Sequence, residues 1–346
     1  MAKIAQVSPS LPSDRISTVW RTFRRLPIIP IIILGGVVVV GVLANLIAPH
    51  DPTDGNLRER NLPPFWGSPR TSVKLVVEVP QSGQRLYQVS LEDARAQDPG
   101  INLGDTLEMV SGPGTRAGGS SKFLLGTDEL GRDILSRIVF GARISLIVSA
   151  VTLVIGGGLG VSLGLLSGWY GGWIDEVIMR LVDIILSLPL ILVALVMVSA
   201  FGQSLELIIG ILAIWIWPRF ARQVRGEVLQ LKTMDYVSAA RIAGASIPRI
   251  LFIHLLPGTM NTVIVISTLQ VGIVILLEAT LSFMGAGVPP PEPAWGSMVA
   301  DGRDHLVDAW WAATMPGFAI LFTVMSLNLF GDWLRDTLDP RLRQLG

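Results

Sequence analysis

The sequence predicts an all-α membrane protein with six transmembrane helices and a β-rich extracytoplasmic insertion. Half of the 346 residues are hydrophobic and 16% are charged, where a soluble domain carries about a quarter charged residues. The mean hydropathy is +0.57. The apolar residues gather into segments close to the ~20 residues a helix needs to cross the hydrocarbon core.

The first span is Ile28–Ile47, uncharged and containing Pro30. Arg21, Arg24 and Arg25 precede it as they would a secretory signal. Its apolar run exceeds the ~7–15 residues of a signal core, so it reads as an uncleaved helix. Ile144–Leu166 is the second span and Ile184–Phe201 the third, with Arg180 and Asp183 just ahead and three residues apart, able to pair on one helix face. Ser204–Trp217 is the fourth, with Glu206 near its start and Pro218 at its end. Thr259–Leu277 is the fifth, running on through Glu278 towards Met284, and Ala309–Phe330, broken by Pro316, is the sixth.

Basic residues near span ends orient the chain. Lys3, Arg15, Arg21, Arg24 and Arg25 face one acid, Asp14, in residues 1–26. Segment 218–258 holds Arg219, Arg222, Arg225, Lys232, Arg241 and Arg249 against Glu227 and Asp235. Both are expected to be cytoplasmic, with the tail bearing Arg335, Arg341 and Arg343. Six spans return the chain to that side. The expected organisation is a cytoplasmic segment 1–26, a first helix 27–48, an outer insertion 49–122, a five-span domain 123–334 containing the cytoplasmic loop 218–258, and a cytoplasmic tail 335–346.

Within the insertion, Ser72–Val79, Arg85–Leu91 and Asp105–Val110 read as short strands between turn residues. Ser111–Ser121 reads as a flexible tether.

Several functions are excluded. There is no cysteine, hence no thiolate nucleophile or thiolate metal site. His50, His254 and His305 lack metal-ligand spacing, and zero net charge gives no reason to expect nucleic acid. A phosphate-binding loop G-x-x-x-x-G-K-S/T needs a lysine after glycine. None of the four lysines, Lys3, Lys74, Lys122 and Lys232, follows one. The chain is expected to bind no cofactor and to hydrolyse no ATP.

Gly156, Gly160, Gly164 and Gly168 recur every four residues, a stripe that lets another helix approach closely. Glu278, an ionisable group at membrane depth, is either a pathway or gating residue or a buried hydrogen-bond acceptor. In Asp235–Pro257, Tyr236–Ala243 is helix-prone with Gly244 placed to stop it. Ser246 can cap a second helix with Pro248 in its first turn. Small Ala239, Ala240, Gly244 and Ala245 permit close approach of a partner.

The spacing Ala239-Ala240-x3-Gly244-x9-His254-x-Leu256-Pro257 resembles the EAA loop of ABC importer permeases. Ser238 stands where the consensus has glutamate, and Gly258 where asparagine is common. Leu125–Ser136 (LGTDELGRDILS), Gly141–Leu146, Met179–Pro189, Leu277–Gly287, Pro293–Gly302 and Asn328–Leu342 are similar, in order, to C-type permeases of the dipeptide, oligopeptide and nickel family. The likeness covers residues 122–346 closely and 15–48 loosely; the insertion is longer than the family's.

The resemblance implies the type I ABC importer permease fold in a bacterial or archaeal cell (inner) membrane, with both termini cytoplasmic. It implies a homologous second permease, two ABC ATPases that carry ATP and Mg, and an extracytoplasmic solute-binding protein. Asp235, Tyr236, Ser238, Ala239, Ala240, Arg241, Gly244, Ala245 and Pro257 would form the ATPase-coupling segment. The cargo would be di- or oligopeptides, with nickel chelates, glutathione or another small solute as alternatives. A secondary transporter would need deep charges in several spans and internal repeats. A membrane-anchored binding protein would not need the cytoplasmic loop.

Overall fold

The computed structural model describes residues 27–69, 72–78, 80, 88–109 and 117–338. The basic residues of segment 1–26, Arg341 and Arg343, and most of the tether lie outside them.

Helix α1 (Ile28–Val42) is apolar throughout. Arg143 fastens its far end, donating to the carbonyls of Gly41 (3.0 Å) and Val42 (3.2 Å) and to the Asn45 side chain (3.1 Å). Helix α3 (Ile134–Tyr170) is one helix of 37 residues with a π-helical turn at Leu153–Gly157. Asp133 caps it, accepting from the Ser136 amide (2.9 Å) and hydroxyl (2.6 Å).

The third span differs from the expected single helix. Helices α4 (Gly172–Ser187) and α5 (Leu190–Phe201) meet at 83°. Leu188 is extended, as a residue before proline must be, and Pro189 starts the new direction. Asp183 does not pair with Arg180 but with Arg222, at 2.7 Å.

Helix α6 (Leu205–Leu231) runs unbroken through Pro218, so the fourth span does not stop there. Ser204 caps it through the Leu207 amide (3.1 Å). Helix α7 (Asp235–Ile242) follows. Helix α8 (Ile247–Phe283) covers 37 residues, and a π-helical stretch, Ile250–Leu255, precedes Pro257. Helix α9 (Trp295–Arg303) is short, and α10 (Trp311–Leu338) passes Pro316 without breaking.

Among the described residues four helices (α3, α6, α8 and α10) are long and apolar enough to cross a membrane, five if the bent α4–α5 pair is one span. The expected first span, Ile28–Ile47, is α1 followed after Leu43 by one further helical turn, Ala44–Ile47; α1 alone, 15 residues or about 22 Å, is shorter than the ~30 Å hydrocarbon core.

The glycine stripe sets the tightest packing. A Cβ on Gly156, Gly160 or Gly164 would come within 2.7, 2.4 and 2.7 Å of the backbone oxygens of Ala213, Trp217 and Ala221. One on Gly168 would lie 2.7 Å from Val228. Helices α3 and α6 therefore meet backbone to backbone, as small-residue interfaces permit.

The insertion contains a small sheet of order β2-β1-β3, with β1 (Ser72–Val77) parallel to β2 (Gln88–Ser90) and antiparallel to β3 (Thr106–Met109). Val76, Val89, Ala94 and Ile101 form its own core. A helical turn, α2 (Leu91–Arg95), follows β2, where the sequence had suggested only strand and turn. Ser90 caps it, accepting from the Asp93 amide (3.1 Å) and donating to its carboxylate (2.6 Å). The flanking segments are clipped to the helical body. Leu62 donates to the Thr127 hydroxyl (2.8 Å), Thr127 returns a bond to Leu62 (2.9 Å), and Asn61 donates to Asp128 (2.9 Å).

Candidate functional site

Helix α7 ends in a left-handed turn. Gly244 has φ +79°. Its N–H donates to the Arg241 carbonyl and that of Ala245 to the Ala240 carbonyl, both at 3.1 Å. This pair of bonds satisfies the last carbonyls and requires positive φ at the glycine. Ser246 occupies the next cap position with Pro248 at the start of the following helix, but its hydroxyl makes no capping bond.

Val237 is fully buried among Val224 and Val228 of α6, Leu165 of α3, and Ile250, Leu251 and Leu255 of α8. Around it Asp235, Tyr236, Ser238, Ala239, Arg241 and Gly244 are exposed, while Ala240 and Ala245 are half-buried. Asp235 lies in the first turn, where the helix dipole favours an acid. Pro257 lies exposed at the other end of the segment, next to Gly258, where the Tyr236 hydroxyl approaches. Two residues outside the expected set dominate the surface: Ile242 is 88% exposed and Phe252 63%.

Polar contacts hold this end of the bundle. Lys232 donates to the Gly168 carbonyl at the end of α3 (2.9 Å). Arg225 grips Asp175 with two nitrogens (2.5 and 2.6 Å), and the Ser167 hydroxyl donates to the same carboxylate. The Arg241 guanidinium lies 4.8 Å over the Trp169 ring. The structure moves Arg219, Arg222 and Arg225 from the expected loop into α6, because that helix continues past Pro218.

Glu278 is fully buried within the bundle and accepts from the Ser282 hydroxyl (2.7 Å); Oε2 has no hydrogen-bond partner among the described residues. It lines no open path in this conformation.

The motif at Leu125–Ser136 builds a charged clasp at the opposite end. Asp128 accepts from the amides of Leu130 and Arg132 (2.9 Å each) and from Arg132 Nε (2.7 Å). The Arg137 guanidinium, 3% exposed, lies 3.6 Å from the same carboxylate. Arg132 reaches Asp301 of α9 (3.7 Å), and Glu129 meets His305 (2.9 Å). Burial pushes the Asp301 carboxyl above its usual 3.8, with Arg137 and Arg132 pulling it back. In the sequence this motif carries only a family resemblance; the order of acid then arginine, Asp128 before Arg132, is the local signal of the clasp.

This architecture defines a multi-pass helical membrane subunit with a short helix, α7, at one end, packed on the bundle through Val237 and carrying the exposed Ile242. Residues 160–344 match the family "Binding-protein-dependent transport system inner membrane component". The di/tripeptide transport system permease protein DppC of Pseudomonas aeruginosa is 44% identical over 246 residues, 71% of this chain and 80% of that protein. The dipeptide transport system permease protein DppC of Haemophilus influenzae is 35% identical over 335 residues, 96% and 97% of the two chains. The glutathione transport system permease protein GsiD of Pectobacterium atrosepticum is 44% identical over 226 residues, 65% and 75%. The chain belongs to the binding-protein-dependent transport system inner membrane component family, as a permease subunit of an ABC transporter.

Proposed function

We propose that this chain is one of two homologous permeases of an ATP-driven importer of short peptides, served by two ABC ATPases and an extracytoplasmic solute-binding protein. The observation that carries this is α7: a helix locked by Gly244, rooted in α3, α6 and α8 through Val237, and tipped by the exposed Ile242. A helix packed this way transmits force as a lever. Its exposed residues Asp235, Tyr236, Ser238, Ala239 and Arg241 dock into the ATPase, and Ser238 makes the docking rest on shape and small residues rather than on an acid. That end of the bundle is cytoplasmic, following the basic residues of α6 and α7, and the termini share its side.

This chain binds no nucleotide; ATP and Mg sit on the ATPases. Their closure drives alternating access through contacts that differ between the two states, as any coupling requires. The names of the DppC relatives favour di- and tripeptides, and that of GsiD favours glutathione, itself a small peptide-like anion, as the second reading. The β-sheet insertion faces the binding protein. The test is the reconstituted complex. ATP-dependent uptake of a dipeptide, stimulated by the loaded binding protein, is expected; ATP-independent uptake refutes the importer reading.

A further inference from the structure

Arg219 lies midway along α6, directly after its apolar residues 207–218. It is 14 residues from Leu205 and 12 from Leu231, about 21 and 18 Å from the ends of α6. Gln270 of α8 lies 23 residues from Ile247 and 13 from Phe283, and its Oε1 accepts from Arg219 Nη1 at 3.4 Å. One face of the guanidinium rests on the Trp215 ring, 3.9 Å from its centroid. No described carboxylate pairs with it. Arg222 and Arg225, one and two turns on, each have an aspartate.

A charge at this depth must face protein or water, because lipid excludes it. Trp215, Arg219, Gln223 and Glu227 recur every four residues, a largely polar stripe of which Gln223 is exposed. Glu227 accepts from Thr262 of α8 (3.3 Å), which keeps the stripe beside that helix, and it lies about 12 Å along the axis from Arg219. A stacked guanidinium with one long bond retains most of its five donors in a planar fork, the geometry that takes a carboxylate with two parallel bonds.

We propose that this stripe lines the translocation path and that Arg219, held by Trp215 and Gln270, is the contact for the cargo's carboxylate as it passes along α6. This rests on the peptide-import reading above.

The experiment compares uptake of a dipeptide with that of its C-terminal amide by the full complex in proteoliposomes. With one binding protein throughout, a change in the acid-to-amide ratio reports the permease. R219Q is expected to lower that ratio about tenfold, and R219K to hold it between the two. Equal loss for both cargoes, or no loss, overturns the assignment while leaving the importer intact. A wild-type complex that imports neither overturns the peptide reading first. A second measurement needs no cargo. The chain lacks cysteine, so Q223C is the single thiol of this subunit. Its labelling by an anionic over a cationic methanethiosulfonate should fall about tenfold when R219Q is added. No aqueous labelling, or an unchanged preference, overturns the assignment.

Discussion

Gly244 separates strain inside this chain from docking onto a partner. A Cβ at this position meets nothing within 4 Å, yet φ is +79°. Any side chain other than asparagine or aspartate therefore costs about 1–2 kcal/mol of backbone strain, a factor of about 5–30 in the population of the native turn. That cost is the same for alanine and tryptophan, because neither touches the rest of the chain at Cβ. Gly244→Asn tolerates the left-handed conformation and should keep most of its uptake. Gly244→Ala should lose up to about 5–30-fold. Gly244→Trp adds bulk on the proposed ATPase-facing surface and should lose uptake and co-purification of the ATPase almost entirely. The purified permease subunits should melt alike for Ala and Trp. Uptake and ATPase retention equal in those two variants would refute the docking argument.

Three further outcomes are expected. Gly160→Ala places a Cβ 2.4 Å from the Trp217 carbonyl, so α3 and α6 must part by about 1 Å; the variant should lose about 1–3 kcal/mol in denaturant melts, whereas Gly158→Ala, with nothing nearby, should lose little. Asp301 binds its proton more tightly folded than unfolded, so the native protein loses stability as pH rises from about 3.8 through the raised value; thermal melts of D301N minus wild type should therefore climb across that window and level off above it. Pro69 and Gly118 adjoin, 3.2 Å from Pro69 Cδ to a Cβ built on Gly118, so a short linker can replace residues 71–116; assembly should persist and binding-protein-stimulated uptake should fall about tenfold, and unchanged uptake would remove the insertion from the docking scheme.

The legible parts of the fold were those fixed by local chemistry. The glycine stripe could be read because a period of four places its members on one helical face. Gly244 could be read because few other residues end a helix in a left-handed turn. Helix ends were hidden at the prolines. Pro189 bends the chain by 83°, while Pro218, Pro257 and Pro316 sit inside continuous helices. All four read alike in sequence. Neighbouring helices decide whether a proline is held in line, and the stripe does this for Pro218, since Gly160 seats against the adjoining Trp217 carbonyl. Mistaking Pro218 for a helix end also hid Arg219 by assigning it to a loop. Ile242 escaped notice because its exposure follows from tertiary packing around Val237, which no local pattern displays. The cap of α2 was visible as Ser90-x-x-Asp93, but a strand pattern overlapped it.

The continuity of α6 and α8 determines what α7 can do. A docking element on a flexible loop would dissipate displacement, and the buried Val237 excludes that arrangement. It is enclosed by residues of α3, α6 and α8, while Lys232 ties the end of α6 to that of α3. Displacing α7 must therefore displace the adjoining ends of all three helices together. Helices α6 and α8 carry that displacement to the level where Arg219 and Gln270 touch. That bond is 3.4 Å long, and a shift of one helix past the other by a fraction of a turn would break it. The contact proposed to hold the cargo thus lies between the two helices on which the lever pulls, so binding and release can follow one relative movement without a separate gate.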